Sequence, residues 1–350
     1  MNTKKLITLA AVLAVIVALI IAANQLGSRK PSAKSLAFFP KFSEQTCSSI
    51  LIVEKADSVR IRKKGDVWIV APFASDAGTE PVMAGTEPEA AGTGVEYPAD
   101  SASIATALEK LTGMKRDDLI SQNPEKQSLF EVDSAKGIYV EAFDEKQKSY
   151  GGFYIGKSGP DYSSHYVRLV GSNDVYSVSN SIRYSFFADR KRWRDKLVVS
   201  FDRGQAEKIV IAKQAGNTFV IDKSTDTSGQ ARWSLSTPQQ APAKTQAMDD
   251  LLNTLSNFRC ADYEENAALA DTAMGFGAPE LVVTVTLSGG TEKKVVVGKM
   301  KEPEKKFWVR TPDRKFTYLF DEWNISKLDK NIGDLKDATA VPGPLPAQKK

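Results

Sequence analysis

A motif that occurs twice constrains this chain more than any other feature of its sequence. The first copy consists of three short segments: Ile155-Gly156-Lys157, Tyr166-Val167-Arg168 and Val175-Tyr176. The second copy consists of Val297-Gly298-Lys299, Trp308-Val309-Arg310 and Thr317-Tyr318, each 142 residues after its counterpart. A constant separation over three segments indicates an internal duplication. We therefore expect two structural units with the same order of elements.

Hydrophobic periodicity predicts the elements within each copy. Alternating apolar residues predict a β-hairpin at the start, and Lys64-Gly65-Asp66 has the composition of its turn in the first copy. A helix follows, because apolar residues recur at helical spacing on one face: Ile104, Leu108, Leu111 and Met114, and again Met248, Leu252, Leu255 and Phe258. Short strands then predict an antiparallel meander. This order favours an α+β fold over a doubly wound parallel sheet.

Changes in composition along the chain predict the boundaries of its domains and linkers. In chain order they are a membrane anchor with its flank at residues 1–30, a tether at 31–45, a first α+β repeat at 46–185, a connector at 186–204, a second α+β repeat at 205–335 and a disordered tail at 336–350. Residues 71–94 interrupt the first repeat and are rich in Ala, Gly, Pro and Glu. They lack apolar periodicity, so we predict a disordered insertion there.

The N-terminal segment has the length and flanks of a signal-anchor. Residues Leu6 to Ala23 form a run of 18 that is apolar except for Thr8. As a transmembrane helix, this run would rise about 27 Å, close to the thickness of the hydrocarbon core. Lys4 and Lys5 precede it, so the positive-inside rule predicts a single-pass protein of a bacterial inner membrane with a periplasmic body. A cleaved signal peptide, ending near Ala22-Ala23, is the alternative.

Charge and rare residues exclude several classes of protein. The net charge of +4 equals the four Lys and Arg residues among the first 30, so residues 31–350 are neutral and a nucleic-acid-binding surface is not expected. One His and two Cys argue against a metal site. Cys47 and Cys260 would form a disulfide in an oxidising compartment or remain as buried thiols, and the sequence is compatible with both.

An apparent phosphate-binding loop spans Gly151 to Ser158 and matches the pattern G-x-x-x-x-G-K-[ST]. Its interior, Phe-Tyr-Ile, predicts a strand, and Pro160 prevents the helix that such a loop requires. The second copy keeps only Gly298-Lys299 of this pattern. We therefore expect a strand-end turn common to both copies, with no nucleotide and no other cofactor bound. His165 lacks catalytic partners in the sequence, so we do not expect an enzyme.

The order and spacing of several short motifs resemble those of a known family. They are Trp68 in a short strand, Tyr97-Pro98-Ala99-Asp100 at the start of a helix, Asn123-Pro124 before Phe130, the first copy of the repeated motif, and Trp193-Arg194-Asp195-Lys196. Over most of residues 40–330 the chain resembles the DUF4340 family of bacterial envelope proteins. This resemblance implies an extracytoplasmic domain without assigned catalytic activity, often found beside ABC-transporter subunits, including those of the gliding-motility type.

These observations predict a membrane-anchored, non-enzymatic accessory or scaffold subunit of an ABC-type transport or gliding-like envelope complex. Its candidate partner contacts lie in a dense cationic run: Arg192, Trp193, Arg194 and Asp195. A solvated connector, with Trp193 packed between the halves, is the alternative for this run. The alternative function is a periplasmic binding module for a saccharide or peptide. Its aromatic contacts would be residues that otherwise pack the core: Tyr162, Tyr166, Trp308 and Tyr318.

Overall fold

The structure, a computed structural model, describes residues 36–71, 95–160, 162–179, 181–225 and 229–337. The chain divides into two units, residues 1–194 and 195–350. The predicted anchor at residues 1–30, nearly all of the predicted insertion at 71–94 and nearly all of the predicted tail lie outside the described residues.

The first unit contains nine strands and two α-helices among its described residues. The strands are β1 Cys47–Glu54, β2 Asp57–Lys64, β3 Val67–Ala71, β4 Tyr97–Pro98, β5 Leu119–Ser121, β6 Ile138–Asp144, β7 Ser149–Ser158, β8 Ser164–Leu169 and β9 Val175–Ser179. The α-helices are α1 Ser101–Gly113 and α2 Arg190–Trp193, and short 3-10 helices span Pro124–Lys126 and Ile182–Ser185.

The second unit contains eleven strands and four α-helices among its described residues. The strands are β10 Leu197–Ser200, β11 Ala206–Lys213, β12 Thr218–Thr225, β13 Ala231–Thr237, β14 Ala241–Pro242, β15 Asn257–Arg259, β16 Asp262–Tyr263, β17 Leu281–Leu287, β18 Glu292–Lys301, β19 Lys306–Arg310 and β20 Tyr318–Asp321. The helices are α3 Thr245–Ser256, α4 Asp271–Met274, α5 Glu322–Ser326 and α6 Ile332–Leu335, with a 3-10 helix at Arg203–Gln205.

The main sheets of the two units have the same strand order. The first sheet runs β4-β3-β2-β1-β6-β7-β8-β9-β5, and the second runs β14-β13-β12-β11-β17-β18-β19-β20-β16. Neighbouring strands in both sheets pair antiparallel. The repeated motif occupies matching strands, because Gly156 lies on β7 and Gly298 on β18. The separation of 142 residues in the sequence therefore corresponds to equivalent places in two sheets.

One face of the first sheet packs against α1. The helix begins after Asp100, whose carboxylate accepts a hydrogen bond from the Ser103 amide at 2.8 Å and caps the first turn. Its buried side chains, including Ile104 and Leu111, join the core with alternate residues of the strands, such as Ile52 and Phe153. Burying such side chains contributes about 1.5–3 kcal/mol each. The hydrophobic face of the helix thus fixes which face of the sheet is covered.

The predicted α+β class is wrong, because each unit is dominated by one nine-stranded antiparallel sheet. The predicted hairpin and the predicted meander are parts of the same sheet. The strand before the helix pairs directly with the strand after it, as Ile52 opposes Val140 in the β1–β6 pair. Sequence periodicity reports local elements, whereas this pairing joins residues far apart in the chain. Among the described residues, the longest helix has 13 residues in the first unit (α1) and 12 in the second (α3).

Among the described residues, no helix is long and apolar enough to cross a membrane. The longest, α1, has 13 residues and rises only about 20 Å. This finding contradicts the predicted N-terminal transmembrane helix. It also contradicts the predicted location, a single-pass inner-membrane protein with a periplasmic body. The segment behind both predictions, Leu6 to Ala23, lies outside the described residues.

Candidate partner-binding edge

The repeated glycines lie inside strands and not at a strand-end turn, which corrects the prediction. Gly156 and Gly298 each occupy a β-bulge, where the register shifts between Ile155 and Ser158 or between Val297 and Met300. A Cβ at Gly156 would clash with the carbonyl oxygen of Phe130, and one at Gly298 with the carbonyl oxygen of Met274. Glycine is required at both positions because another backbone segment crosses each strand closely.

The predicted contact residues are largely built into the first unit. Trp193 is fully buried, and its Nε1 donates a hydrogen bond to the Phe187 carbonyl at 2.8 Å. Arg194 is also buried, with its guanidinium 4.0 Å from the centre of the Tyr97 ring. Arg192 is exposed and lies 3.8 Å over the Phe187 ring. A contact through Arg192 stays a prediction, whereas Trp193 and Arg194 are occupied by packing within their own unit.

The end of the second unit repeats this arrangement. The Asp100 amide donates to the Trp193 carbonyl at 2.7 Å, and the Lys244 amide donates to the Leu335 carbonyl at 2.8 Å. Isolated bridges join Ala99 to Arg194 and Ala243 to Lys336. Trp193 and Leu335 thus occupy equivalent positions, each in a segment that pairs with the residues just before the long helix of its unit. Leu335 is fully buried as well. A shared structural role explains why an indole stands in the middle of the cationic run.

Asp195 begins the second unit. Its carboxylate lies 3.8 Å from Arg314, and its carbonyl accepts a hydrogen bond from the Tyr263 hydroxyl at 2.5 Å. These contacts place Asp195 beside the aromatic cluster of Tyr263, Phe316 and Tyr318. Asp195 therefore holds the Tyr263 side chain at the edge of the second sheet.

The four aromatic residues considered for ligand binding have different environments. Tyr318 is buried, and Tyr166 packs edge-on against Phe130 with ring centres 4.8 Å apart. The Trp308 indole donates to Glu264 at 2.8 Å. Tyr162 is 83% exposed. Because packing or hydrogen bonding occupies the others within their units, only Tyr162 of the four presents most of its surface to solvent.

Glu264 is the hydrogen-bond acceptor for the Trp308 indole. Its carboxylate also accepts hydrogen bonds from the Lys301 ammonium at 3.0 Å and the Asn266 amide at 3.0 Å. Burial raises the pKa of Glu264, but the donated hydrogen bonds outweigh burial and hold the pKa below its usual value. The folded state therefore favours the ionised carboxylate.

We expect Glu264→Gln to lower the free energy of unfolding by about 1–3 kcal/mol at pH 7, because it weakens charge-assisted hydrogen bonds. A depressed pKa stabilises the fold above the unfolded pKa of about 4.3, and this stabilisation is lost as pH falls through the folded value. The difference from wild type should therefore shrink in acid. Urea unfolding at pH 7 and below pH 4.3 measures it. Glu304→Gln, at a half-exposed partner of Lys301, is the control, and equal effects of the two substitutions would contradict this assignment.

The single histidine and both cysteines are buried rather than exposed at a reactive site. His165 lies within β8, with Nε2 at 3.3 Å from the Ser158 hydroxyl. Cys47 and Cys260 are free thiols. Burial raises the pKa of each to about 12, so neither is a reactive thiolate near neutral pH. No cluster of three His, Cys, Asp or Glu able to hold a metal occurs in the part of the chain that the structure describes.

One edge of the first sheet, formed by β5, remains accessible. Its only neighbour among the described strands is β9, which pairs Leu119 with Tyr176 and Ser121 with Val175. Leu119 is 49% exposed and Ile120 is 39% exposed. An edge strand offers unpaired backbone donors and acceptors for another strand. Two exposed apolar side chains therefore lie beside a backbone that can pair.

Hydrogen bonds hold this edge in place on both sides of β5. Before the strand, the Asp117 carboxylate accepts bonds from the Ser179 amide at 2.9 Å and the Ser179 hydroxyl at 2.7 Å. After it, the Gln122 amide group donates to Asp174 at 2.9 Å. The β5 segment is thus ordered by its own sheet, which reduces the entropy lost when a partner binds.

The equivalent edge of the second sheet differs, because its side chains are buried. Its terminal strand β16 pairs Asp262 with Leu319 and Tyr263 with Tyr318. Asp262 is 9% exposed and Tyr263 is 2% exposed. The Tyr263 ring packs 5.2 Å from Phe316 and 5.0 Å from Tyr318, measured between ring centres. Two sheets of the same topology therefore differ at one edge, and only the first presents exposed apolar residues there.

The sequence contained one signal for the open edge that the predictions did not use. Leu119 and Ile120 stand next to each other between Asp118 and Ser121. Adjacent residues of a strand point to opposite faces of the sheet. When two neighbouring residues of a strand are both apolar, at least one of them therefore points away from a core that covers only one face. Their burial depends on neighbouring strands, which periodicity does not report.

A family model described as a domain of unknown function, DUF4340, matches residues 93–274. This range is just over half of the chain, and it runs from before β4 to the end of α4. No curated protein and no solved structure matches the chain.

Proposed function

Because the chain belongs to the DUF4340 family, as its motifs predicted, and this domain has no known function, we propose a function from its geometry. We propose that the protein is a non-enzymatic accessory subunit that binds an extended segment of a partner protein along β5. The observation that carries this proposal is the difference between two equivalent edges. Leu119 and Ile120 are exposed at one edge, whereas Asp262 and Tyr263 are buried at the other.

An extended protein segment is the occupant that best fits this edge. A strand added beside β5 would pair with its outer backbone groups, and its side chains would cover Leu119 and Ile120. Charged residues flank the strand on one side, Arg116, Asp117 and Asp118, and polar residues follow it. Backbone pairing supplies affinity in this mode, and the contacts of side chains on alternate positions supply specificity.

The resemblance to envelope proteins that accompany ABC-type transporters suggests the partner to test first. An accessory subunit of a transport or gliding-like complex needs a surface for its partner, and no chemistry is required of it. The alternative of a saccharide-binding module retains Tyr162 as its one largely exposed aromatic residue of the four considered. If the ligand of that binding module were a peptide, it would bind as an extended segment by the same backbone pairing that we propose for β5.

The proposal is tested by replacing both exposed edge residues with lysine. Leu119→Lys/Ile120→Lys should lower the free energy of unfolding by no more than about 2 kcal/mol, because each replaced side chain is only about half covered. It should abolish co-purification of the transporter component, since lysines on an edge oppose strand pairing. Val67→Lys is the matched control, because Val67 is 56% exposed in the same sheet.

The measurement is native co-purification quantified by mass spectrometry, with circular dichroism to verify the fold. Loss of the transporter component with the edge variant alone would support the proposal. Equal recovery of that component with the edge variant and with wild type would rule out β5 as its binding site.

A further inference from the structure

Two exposed tyrosines lie at one end of the first sheet. Tyr162 is 83% exposed and Tyr184 is 73% exposed, the two largest values among the large hydrophobic side chains of the described residues. Tyr162 lies in the connection between β7 and β8, and Tyr184 lies in the 3-10 helix Ile182–Ser185 that follows β9. Leaving a large aromatic side chain in water forfeits the free energy of burying it. Two such side chains at one end of a sheet therefore call for an explanation.

Hydrogen bonds and packing bring the two tyrosines together. The Ser181 amide donates to the Ser163 carbonyl at 3.1 Å, and the Tyr184 amide donates to the Ser181 carbonyl at 3.4 Å. The Tyr184 ring packs edge-on against the buried His165 ring, with centres 5.9 Å apart. His165 is three residues from Tyr162, and three residues of chain span at most about 11 Å. The two tyrosines, which we call the tyrosine patch, therefore lie close enough to contact one ligand.

The backbone at Tyr162 is strained. Its φ is 58°, a region in which a bulky side chain is rare and glycine is accommodated at less cost. The other non-glycine residues with positive φ among those described are polar or charged: Lys55, Glu131, Gln147, Ser181 and Lys305. Strained residues cluster at functional sites. Because the Tyr162 ring is exposed, core packing does not offset this strain, and a role at the surface explains the residue better.

The second unit lacks this pair of rings. Its connection between β18 and β19, residues 302–305, contains no aromatic residue. Its short helix after β20, α5, carries Trp323, which is 57% exposed. The Lys327 ammonium lies 4.0 Å from the centre of the Trp323 ring and covers one of its faces. Among the described residues, two exposed rings on adjoining segments at this end of a sheet are therefore particular to the first unit.

The surroundings of the tyrosine patch do not concentrate charge of one sign. Arg183 is paired with Glu54 at 2.9 Å, and its guanidinium also donates to two backbone carbonyls at 3.2 Å. The remaining charged residues in the sequence of the two segments, Lys157 and Asp161, have opposite signs. The same segments are rich in serine: Ser158, Ser163, Ser164, Ser181 and Ser185. A ligand with polar but uncharged groups suits these surroundings better than an ionic one.

The size of the patch suits a small ligand with flat faces. At their exposure the two side chains present roughly 300–400 Å², an area typical of a functional patch on a monomer. Each partner in a stable protein interface contributes more, roughly 800 Å². A pyranose ring carries C–H groups on its faces and hydroxyl groups around its rim. The slightly positive C–H groups fit the negative face of an aromatic ring, and the hydroxyl groups stay in water.

We propose that the tyrosine patch binds a neutral oligosaccharide, with sugar rings stacked on Tyr162 and Tyr184. The ring faces supply the contact, and the tyrosine hydroxyl groups are not required for it. This site uses neither Leu119 nor Ile120. The variant Leu119→Lys/Ile120→Lys should therefore keep sugar binding, and either proposal can fail without the other.

Isothermal titration of the full-length protein tests the patch with three neutral probes: cellopentaose, chitotetraose and maltopentaose. We expect saturable binding of at least one probe. Tyr162→Ala/Tyr184→Ala should weaken it at least tenfold, whereas Tyr162→Phe/Tyr184→Phe should weaken it less than about threefold, because the rings remain. Trp323→Ala, at the exposed aromatic residue of the second unit, is the matched control and should leave the affinity unchanged.

A further variant separates loss of binding from loss of the fold. Tyr162→Gly should keep the thermal midpoint close to that of wild type, because glycine adopts a positive φ freely, and should still weaken binding. Absence of binding by all three probes, or unchanged affinity in the double alanine variant, would overturn the proposal. Equal losses in the alanine and phenylalanine variants would replace stacking by hydrogen bonding. Loss of a co-purifying protein from the alanine variant, without sugar binding by wild type, would make the patch a protein contact instead.

Discussion

Replacing Gly156 with alanine is expected to destabilise the protein by about 3 kcal/mol, and Gly298→Ala should have a similar effect. A methyl group at Gly156 would clash with the Phe130 carbonyl and lie 2.8 Å from Val132 Cγ1. The Phe130 carbonyl cannot retreat freely, because it accepts a hydrogen bond from the Lys157 amide at 3.2 Å. The strand or the crossing segment must therefore move.

Gly113→Ala and Gly277→Ala are matched controls in the first and second units. A Cβ at either position meets no atom within 4 Å, and neither residue has a positive φ. Both controls should change stability by less than about 1 kcal/mol. Urea unfolding monitored by circular dichroism provides the comparison. If Gly156→Ala unfolded at the same urea concentration as Gly113→Ala, the crossing of β7 by residues 130–132 would be wrong.

Replacing Trp193 with alanine is expected to lower the free energy of unfolding by about 3–5 kcal/mol. The indole is fully buried in the core of the first unit, and its ring centre lies 4.5 Å from that of Phe187. Removing it leaves a cavity and also leaves the Phe187 carbonyl without its donor. Leu335→Ala, at the equivalent position of the second unit, should cost about 2–5 kcal/mol for the same reason.

This experiment separates a structural role of Trp193 from the predicted partner contact. Trp323 is 57% exposed, so Trp323→Ala should change stability by no more than about 0.5 kcal/mol. Trp193→Phe should retain most of the packing and lose the hydrogen bond, giving an intermediate effect. If Trp193→Ala were as stable as Trp323→Ala and yet lost binding to a partner protein, Trp193 would be a partner contact and its proposed structural role would be wrong.

Local features of the fold could be predicted from the sequence, because local physics specifies them. The spacing of Ile104, Leu108 and Leu111 predicted α1, and all three are buried. The separation of Gly156 from Gly298 predicted a duplication, and both glycines occupy bulges on equivalent strands. Each of these inferences depends on residues close in sequence or on a direct comparison of two segments.

Features that depend on pairing between distant segments could not be predicted in this way. The β1–β6 pair joins the predicted hairpin to the predicted meander, and it turns two elements into one sheet. The bulge at Gly156 depends on Phe130, which crosses the strand from another part of the chain. The cationic run around Trp193 has the composition of a contact surface, but its burial follows from tertiary packing.

The candidate binding edge, β5, also depends on contacts between distant segments. Leu119-Ile120 is visible in the sequence, but its exposure depends on β5 being the last strand in its sheet. The second unit has a strand in the same place, and Phe316 and Tyr318 cover Tyr263 there. The contrast between the two copies is therefore the basis for proposing β5 as the binding edge, and neither copy alone would have suggested it.

Site-specific photocrosslinking in cells tests the binding edge most directly. A photoreactive amino acid at position 120 is compared with the same residue at position 67, which lies on β3 and is similarly exposed. The proposed function predicts a crosslink from position 120 to one extended segment of a transporter component, lost when Leu119 is replaced by lysine, and none from position 67. Crosslinks to that component from position 67 and none from position 120 would contradict it.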